Sequence, residues 1–379
     1  MKLTAAGESH GKALVAIIEG LPAHLYIEKS RINEALARRQ GGYGRGARQK
    51  IEKDCVEILT GVRDCQTLGS PLTLCIYNKD YANWDTVMSA GECDEGAMEE
   101  KKLTKVRPGH ADLTGVMKFG QTDARNVLER ASARETAIRV AAGEVYRAYL
   151  STLGVEVAGY TVEVCGIKDE KGYAFEEVCT AKNTELGMLD PRLETLAKEK
   201  ITALKAAGDT AGGVVEIRVK GLKSGFGSMM TYAEKLDARL AQGLMSMQAA
   251  KGVEFGLGFA AAEKCGSEVH DEIFYDEANG IYRNTNRAGG IEGGMSNGEE
   301  LVIRVAMKPI PTLMKGLKTI DYQTMESATA AAERSDVCAI YAFGVIAEAV
   351  VAQVLADAVA ERFGGDTMEQ VVKRYNELP

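Results

Sequence analysis

Two of the four histidines lie in short glycine-containing segments that could position an imidazole for proton transfer. His10 lies in GESHG at 7–11, and His110 lies in RPGHAD at 107–112, where acidic and basic residues flank the ring. Imidazole is the side chain whose charge changes most readily near neutral pH. Since a single loop histidine is more often a surface or capping residue, each candidate needs support from other residues.

The GESHG segment also matches Gly-x-Ser-x-Gly, the nucleophile elbow of serine hydrolases. That elbow follows several strands and an upstream oxyanion loop, whereas six residues precede Gly7. The spacing from Gly7 to Lys12 is one residue short of a phosphate-binding P-loop. Neither alternative is favoured, which leaves His10 as a candidate acid–base residue.

A basic, glycine-rich segment is the strongest candidate for ligand binding. The sequence RQGGYGRGAR at 39–48 places Arg39, Arg45 and Arg48 among glycines. Glycine lets a backbone approach a ligand closely, and guanidinium groups bind carboxylate or phosphate through forked hydrogen bonds. A solvated basic loop is the alternative. The segment is short and lacks stacking aromatic residues, so a small polyanion suits it better than single-stranded nucleic acid.

Three further segments could contact a ligand. Ser132 and Glu135 form a capping-box pattern, and a helix N-terminus beside Arg130 and Arg134 would attract an anion, although simple capping is commoner. The loop GGIEGG at 289–294 could lie against a flat ligand or be a sharp turn. The segment KPIPTLMK at 308–315 is stiffened by two prolines and positively charged.

The elements around these segments predict an α+β fold with antiparallel sheets, because helices and strands do not alternate regularly. Apolar spacing predicts helices at 30–39 with Ser30 as the cap, after Ser132, at 232–251 and at 344–363. The last is almost wholly apolar and should be deeply buried or lie at a subunit interface. Alternation predicts strands at 215–220 and 300–307, and the polar segment 91–110 reads as a long loop.

Composition excludes several classes of protein. The 379 residues are 45% hydrophobic and 26% charged, with a net charge of −8 and a pI near 5.4, which argues against a nucleic-acid or anionic-membrane surface. We find no run of about 18 apolar residues and no secretory signal, and expect a cytoplasmic protein. Eight scattered cysteines without a Cys-x-x-Cys pair predict reduced, mostly buried thiols and no metal site.

Taken in order, these segments resemble the chorismate synthase family. Its signatures are similar to GESHGKALVAIIEGLP at 7–22, ERASARETAIRVAAGEV at 129–145 and RSDVCAIYAFGVIAEAV at 334–350, with QGGYGRG, RPGHAD, AAKGVEFGLGF, the glycine loop and KPIPT between them. The resemblance implies a lyase that eliminates phosphate from 5-enolpyruvylshikimate 3-phosphate in a 1,4-anti sense, giving chorismate. It implies a need for reduced FMN without net redox change. It also implies a homotetramer whose subunit is one domain over 1–379, a layered β-α-β sandwich with helices between antiparallel sheets.

The resemblance also assigns roles to residues. His10 would donate a proton to the leaving phosphate, His110 would protonate or hydrogen-bond the reduced flavin, and Asp336 would relay the proton taken by the flavin. The substrate would be held by Arg39, Arg45, Arg48 and Arg134, of which Arg39 and Arg45 would also meet NADPH in members that reduce their own flavin. The implied FMN contacts are Arg130, Ala131, Ser132, Gln248, Ala249, Gly293, Lys308, Pro309, Ile310, Pro311, Thr312 and Arg334.

Departures from the family pattern are few, and two rival functions stay open. Ala131 stands where the family often has serine, and Gln49 stands where it commonly has methionine. Tyr341 replaces a frequent proline, and Gln248 replaces the usual asparagine. None of these four changes removes a proposed catalytic group. One rival is a non-catalytic flavin- or anion-binding protein on the same scaffold. The other is a flavin oxidoreductase, supported only by a weak Gly-x-Gly-x-x-Ala pattern at 256–261.

Overall fold

A computed structural model describes residues 1–46, 53–278, 280–330 and 336–378. Its strands are β1 (Lys2–Ala6), β2 (Ala13–Glu19), β3 (Ala23–Tyr26), β4 (Glu57–Thr60), β5 (Val62–Arg63), β6 (Gln66–Leu68), β7 (Leu72–Tyr77), β8 (Glu156–Val164), β9 (Ile167–Lys168), β10 (Gly213–Lys220), β11 (Ala250–Phe255), β12 (Ile273–Asp276), β13 (Gly280–Arg283), β14 (Ile291–Glu292), β15 (Met295–Ser296), β16 (Leu301–Met307), β17 (Lys318–Asp321) and β18 (Glu326–Thr329). Its α-helices are α1 (Lys29–Gln40), α2 (Asp85–Met88), α3 (Glu95–Lys101), α4 (Asp112–Phe119), α5 (Arg125–Ala131), α6 (Thr136–Thr152), α7 (Phe175–Val178), α8 (Pro191–Ala206), α9 (Leu236–Met245), α10 (Gly266–Val269), α11 (Ile340–Phe363) and α12 (Met368–Asn376). Short 3₁₀ helices lie at Lys79–Asn83, Ala133–Glu135, Cys179–Asn183, Tyr232–Glu234 and Gly258–Glu263.

The first sheet is antiparallel, with the strand order β1-β2-β7-β4. Along β2, Leu14, Ala16 and Ile18 are fully buried, while the residues between them are less buried. This period of two is what one buried face requires. The buried face packs against α6, which contacts both β2 and β7.

The second sheet has the order β11-β16-β10-β8-β9 and is also antiparallel. The predicted strands at 215–220 and 300–307 are confirmed as β10 and β16. Val215, Ile217 and Val219 form the expected buried face. The charged face is not simply solvated, because Glu216 is buried and accepts a hydrogen bond from the Tyr160 hydroxyl at 3.2 Å.

Helices α6 and α11 pack against each other between the two sheets, and α11 contacts β8 and β10. The expected layered β-α-β arrangement with antiparallel sheets is therefore confirmed. Helix α11 ends at Gly364 as predicted but begins four residues before the expected 344. By length and composition α11 could cross a membrane, although Glu348 and Asp357 interrupt its apolar run. However, 78% of its most apolar window is buried inside the molecule, so it is a core helix.

Several predicted local features are wrong in detail. Helix α1 begins after Glu28, and Ser30 lies in the first turn, where its hydroxyl donates to Glu28 at 2.6 Å. The helix expected at 232–251 is only α9, because the chain turns at its end to enter β11. The segment 91–110 contains α3 and is not a continuous loop.

The cysteines are free, as expected, but they are not mostly buried. Only Cys75 and Cys338 are buried. Exposed thiols are found at Cys55, Cys65, Cys165 and Cys265. The expectation failed because cysteine is usually buried in globular proteins, and that tendency does not locate individual side chains.

The contact between α6 and α11 predicts a strong effect at Gly143. A Cβ atom there would lie 2.3 Å from the Ala349 Cβ and 2.7 Å from its Cα. We expect Gly143→Ala to lower the free energy of unfolding by about 1–3 kcal/mol through overpacking, although alanine suits a helix better by about 1 kcal/mol. Urea unfolding at equilibrium measures this. Gly172→Ala is the control, since its Cβ would meet open space, and equal midpoints for the two variants would contradict the prediction.

Candidate functional site

His10 lies in the bend after β1 and is held from two sides. Its Nδ1 lies 2.8 Å from Glu129 Oε1, and its backbone N–H donates to Glu129 Oε2 at 2.8 Å. The imidazole stacks on Trp84 with ring centroids 4.1 Å apart and an interplanar angle of 22°. Burial alone would raise the pKa of Glu129, but the hydrogen bonds and charge of His10 outweigh it and lower that pKa. The carboxylate is therefore ionised, and Nδ1 must donate to it.

Beside His10, Ser132 caps the 3₁₀ turn that leads into α6. Its hydroxyl accepts from the Arg134 N–H at 3.2 Å and donates to the Ser9 hydroxyl at 3.1 Å. The predicted capping box does not form, because Ser132 accepts from the Arg134 N–H and not from that of Glu135, and the Glu135 carboxylate accepts from Gln248 at 3.3 Å.

Two of the predicted substrate arginines converge on one buried carboxylate. Arg134 donates to Asp54 at 2.7 Å and to the Asn78 side chain at 2.9 Å. An Arg39 Nη1 lies 3.8 Å from the same Asp54 oxygen, and its Nε donates to the Thr136 hydroxyl at 2.9 Å. All of these side chains are buried, so their positions are fixed by packing as well as by hydrogen bonds.

Arg45 extends this cluster towards Asp336. Its Nη1 lies 3.4 Å from Asp336 Oδ2, and the Gly46 N–H donates to Asp336 Oδ1 at 2.6 Å. Burial, followed by repulsion from Arg45, lowers the pKa of Arg39 to about 9. Arg39 therefore stays charged at neutral pH, but an additional anion beside it would be favourable. Among the described residues, three guanidinium groups lie against two carboxylates, so the charges of the cluster that these ion pairs define leave an excess of positive charge.

The glycine-rich loop reaches this position because of Gly44. It has a φ of +87°, a conformation that favours glycine, and a Cβ there would lie 3.1 Å from the Cys338 Cβ. Its carbonyl accepts a hydrogen bond from the Val337 N–H at 2.8 Å. Gly44 thus joins the arginine loop to the segment that carries Asp336.

His110 lies in a second buried group of charges. Its Nδ1 lies 2.5 Å from Asp112 Oδ1, and Arg107 donates to Asp112 through Nε at 2.8 Å. Burial alone would raise the pKa of Asp112, but the hydrogen bonds from His110 and Arg107 hold it well below its usual range. Arg107 also donates to the Thr312 hydroxyl at 3.2 Å, which joins His110 to the KPIPT segment.

The KPIPT segment and the end of α9 form an adjoining wall. The Lys308 ammonium donates to the Gly109 carbonyl, and the Lys308 N–H donates to the Ala249 carbonyl at 2.9 Å. Burial, and then the charge of Lys251, lowers the pKa of Lys308. Gln248 Oε1 is buried without a hydrogen-bond partner in the described part of the chain. This wall offers an unused acceptor and a cation to a ligand.

Not all predicted site residues come together. The Gly294 carbonyl, next to Gly293, accepts from the first N–H of α9, whereas Gln248 and Ala249 follow the last turn of that helix. Ten residues of helix span about 15 Å, so Gly293 lies apart from them within one chain. Arg130 is exposed and Ala131 is half-buried at the end of α5. Pro309, Ile310 and Pro311 lie in the KPIPT wall, and Arg48 and Arg334 lie outside the described residues.

Sequence reasoning missed several side chains that organise the site: Asp54, Asn78, Trp84, Arg107, Asp112 and Glu129. Arg107 and Asp112 lie in the RPGHAD segment at 107–112, and Glu129 is the first residue of the ERASARETAIRVAAGEV segment at 129–145. Their position within these motifs could have identified them as residues of the site. Trp84 is the only tryptophan in the chain. Asp54 and Asn78 lie near no motif, and nothing in the sequence marks them.

Comparison with known proteins gives consistent matches. A family model described as chorismate synthase matches residues 1–360. Chorismate synthase of Geobacter metallireducens is 53% identical over 385 residues, covering 99% of this chain and 98% of the relative. That of Caldicellulosiruptor bescii is 49% identical, covering 100% and 99%. A crystal structure of chorismate synthase superimposes with a TM-score of 0.80 at 39% identity, covering 99% of this chain and 96% of the other.

Proposed function

Because the chain belongs to the chorismate synthase family, we propose that it eliminates phosphate from 5-enolpyruvylshikimate 3-phosphate to give chorismate. The observation that carries the proposal is the convergence of Arg39, Arg45 and Arg134 beside His10, an anion site next to a proton donor. A flavin oxidoreductase would require a dinucleotide site instead. The weak pattern at 256–261 lies in the turn after β11 and in a 3₁₀ helix, which does not fit the strand-to-helix context of such a site.

The arginine cluster suits this substrate, which carries one phosphate and two carboxylates. Buried guanidinium groups bind such anions with little loss of solvation, and they are already oriented by Asp54 and Asp336. Substrate binding would supply the negative charge that lowers the free energy of the crowded arginines. We assign Arg48 to the same role by its position in the loop.

Proton movements are assigned to three residues. His10 would donate to the departing phosphate oxygen as the C–O bond breaks, so that the bond's electron pair leaves with the phosphate. His110, fixed through Nδ1 by Asp112, would hydrogen-bond the flavin through its other ring nitrogen. Asp336 would relay the proton removed from the substrate ring, and it already lies against the arginine loop.

The wall around Gln248 and Lys308 fits FMN. The unpaired Gln248 Oε1 can accept from a ring N–H, and the Lys308 ammonium, close to Lys251, can bind the phosphate. Ala249 bonds to Lys308, and Thr312 bonds to Arg107. We assign these two residues to the FMN site, together with Arg130, Ala131, Ser132, Pro309, Ile310, Pro311 and Arg334 from the family pattern. Reduced FMN would supply electron density that assists loss of the ring proton and phosphate.

The assembly and location are part of the proposal. One hydrophobic cluster includes residues of both sheets and of the helices between them, which supports a single-domain subunit. Because Gly293 lies about a helix length from Gln248, its assignment to FMN requires a neighbouring subunit, in keeping with a homotetramer. We place the enzyme in the cytoplasm, with NADPH as a possible source of electrons through Arg39 and Arg45.

The function is tested by phosphate release from 5-enolpyruvylshikimate 3-phosphate in the absence of oxygen. Release with chemically reduced FMN but not with oxidised FMN, with chorismate formed in equal amount, is the expected result. Failure to release phosphate in either state, from folded protein that binds the substrate, would contradict the proposal and favour a non-catalytic anion-binding protein.

Arg45 provides a separate test of the anion site. Arg45→Leu is expected to weaken binding of the substrate by about 10- to 100-fold, because a buried charge-assisted hydrogen bond to an anion is worth roughly 1.5–3 kcal/mol. Isothermal titration of the substrate into the protein measures the affinity. The control Arg31→Leu removes an exposed arginine of α1 that pairs with Glu28. Unchanged affinity in Arg45→Leu would remove this loop from the site.

A further inference from the structure

The environment of His10 is more specific than a general acid requires. Glu129 is 2% exposed and directs both carboxylate oxygens at His10, one at the ring and one at the backbone N–H. Trp84 covers one face of the imidazole at 4.1 Å. In the part of the chain that the structure describes, Nε2 of His10 has no hydrogen-bond partner.

We infer that Glu129 and Trp84 are positioning residues that hold His10 with Nδ1 bonded to the carboxylate and Nε2 presented as the proton-donating atom. The inference rests on the proposed function for the identity of the acceptor, a phosphate oxygen. When Nε2–H donates, the N–H bond breaks, an O–H bond forms on the departing phosphate, and a neutral imidazole stays bonded to Glu129 through Nδ1–H. Uptake of a proton from solvent at Nε2 then restores the imidazolium for the next turnover, while Nδ1–H stays bonded to Glu129.

Groups of both signs surround the ring. Glu129 is an anionic acceptor at Nδ1, and the indole of Trp84 presents its electron-rich face to the imidazole. Arg125 places a positive charge 3.4 Å from Glu129 and 5.0 Å from the Trp84 ring centre. The titratable groups that surround His10 and Trp84 in the described chain are Glu8, Asp80, Lys101, Arg125 and Glu129.

Trp84 makes the inference measurable without turnover. It is the only tryptophan, so the intrinsic tryptophan fluorescence of the protein reports directly on the ring stacked against it. A protonated imidazole quenches indole emission more strongly than a neutral one. Emission of the full chain without added flavin should therefore rise with pH as His10 loses its proton, and His10→Gln should abolish that rise.

Glu129→Gln is the decisive variant. Loss of the carboxylate charge removes the partner of the imidazolium and leaves Arg125 nearby, so the fluorescence midpoint should move to lower pH by about one unit or more. Glu369→Gln is the matched control, because Glu369 also contacts a histidine Nδ1, that of the exposed His24, at 3.2 Å. It should leave the midpoint unchanged.

Kinetics supply a second measurement. In Glu129→Gln the pH profile of phosphate release should shift in the same direction as the fluorescence, with kcat lowered and KM little changed. Trp84→Leu should lower kcat by about tenfold, and Trp84→Phe, which keeps an aromatic ring, should restore most of it. Circular dichroism establishes that each variant is folded.

The outcomes separate this inference from the proposed function. An unshifted midpoint in folded Glu129→Gln, or a pH-dependent emission that survives in His10→Gln, would overturn the positioning roles even if phosphate is released. If Glu129→Gln does not fold, equal kcat values in Trp84→Leu and Trp84→Phe would overturn them. The fluorescence shift observed in a protein that releases no phosphate would support the positioning and reject the reaction.

Discussion

Replacing His10 with glutamine is expected to slow phosphate release by about 100- to 10 000-fold, the usual contribution of a general acid, while substrate affinity changes little. Glutamine keeps a side-chain amide that can donate to Glu129, but it has no proton to transfer near neutral pH. The proposed anion-binding arginines Arg39, Arg45 and Arg134 are held by Asp54 and Asp336, and His10 is held by Glu129, so we expect the arginines to keep their positions and bind the substrate in the variant as before. Single-turnover phosphate release and equilibrium binding of the substrate separate the two effects.

His24→Gln is the control for that experiment. His24 is an exposed histidine on β3 that pairs with Glu369 at 3.2 Å. We expect its turnover to match that of the wild-type protein. If His10→Gln and His24→Gln release phosphate equally fast, His10 is not the proton donor, and the anion site must act through another group.

The local sequence pattern was sufficient to predict the helices and strands whose apolar residues recur with a regular period. The two strands β10 and β16, and the long helix α11, were predicted within a few residues, because each has a well-defined apolar face or is apolar throughout. The predicted ends of the helices were less accurate. A serine near the start of a helix suggests a capping residue but does not show at which residue the helix begins. Thus Ser30 lies inside α1, and Glu28 holds the capping position. The order of the layers came from resemblance and not from periodicity.

The motifs supplied the candidate residues of the site but not the residues that hold them in place. The contact between His10 and Glu129 joins residues 119 apart in sequence, and that between Arg134 and Asp54 joins residues 80 apart. No local pattern encodes such pairs, because they depend on how the two sheets pack on the helices. Gly293 stays a prediction, since family position grouped it with Gln248 and α9 separates the two residues within one chain.

Glu348→Ala is expected to lower the free energy of unfolding by about 2–3 kcal/mol, because it removes a buried carboxylate that accepts charge-assisted hydrogen bonds from two partly exposed arginines. Glu348, in the middle of α11, is 3% exposed and accepts from Arg38 at 3.0 and 3.1 Å and from Arg147 at 2.8 Å. Its removal takes this acceptor from both arginines and leaves Arg147 paired with Glu144 at 3.7 Å. Equilibrium denaturation in urea measures the loss.

The contribution of Glu348 to the free energy of unfolding should depend on pH. Burial alone would raise the pKa of Glu348, but Arg38 and Arg147 outweigh it and lower that pKa below its ordinary value of 4.5. A carboxyl with a lowered folded-state pKa contributes stability above its unfolded pKa and loses it as pH falls through the folded value. The difference in the free energy of unfolding between wild type and Glu348→Ala should therefore be largest at neutral pH and become smaller below about pH 4.5.

The same helix supplies the control. Glu361, also on α11, pairs with Arg239, but its side chain is 60% exposed, so Glu361→Ala should cost no more than about 1 kcal/mol. Similar losses in the two variants would show that burial does not strengthen the contribution of Glu348.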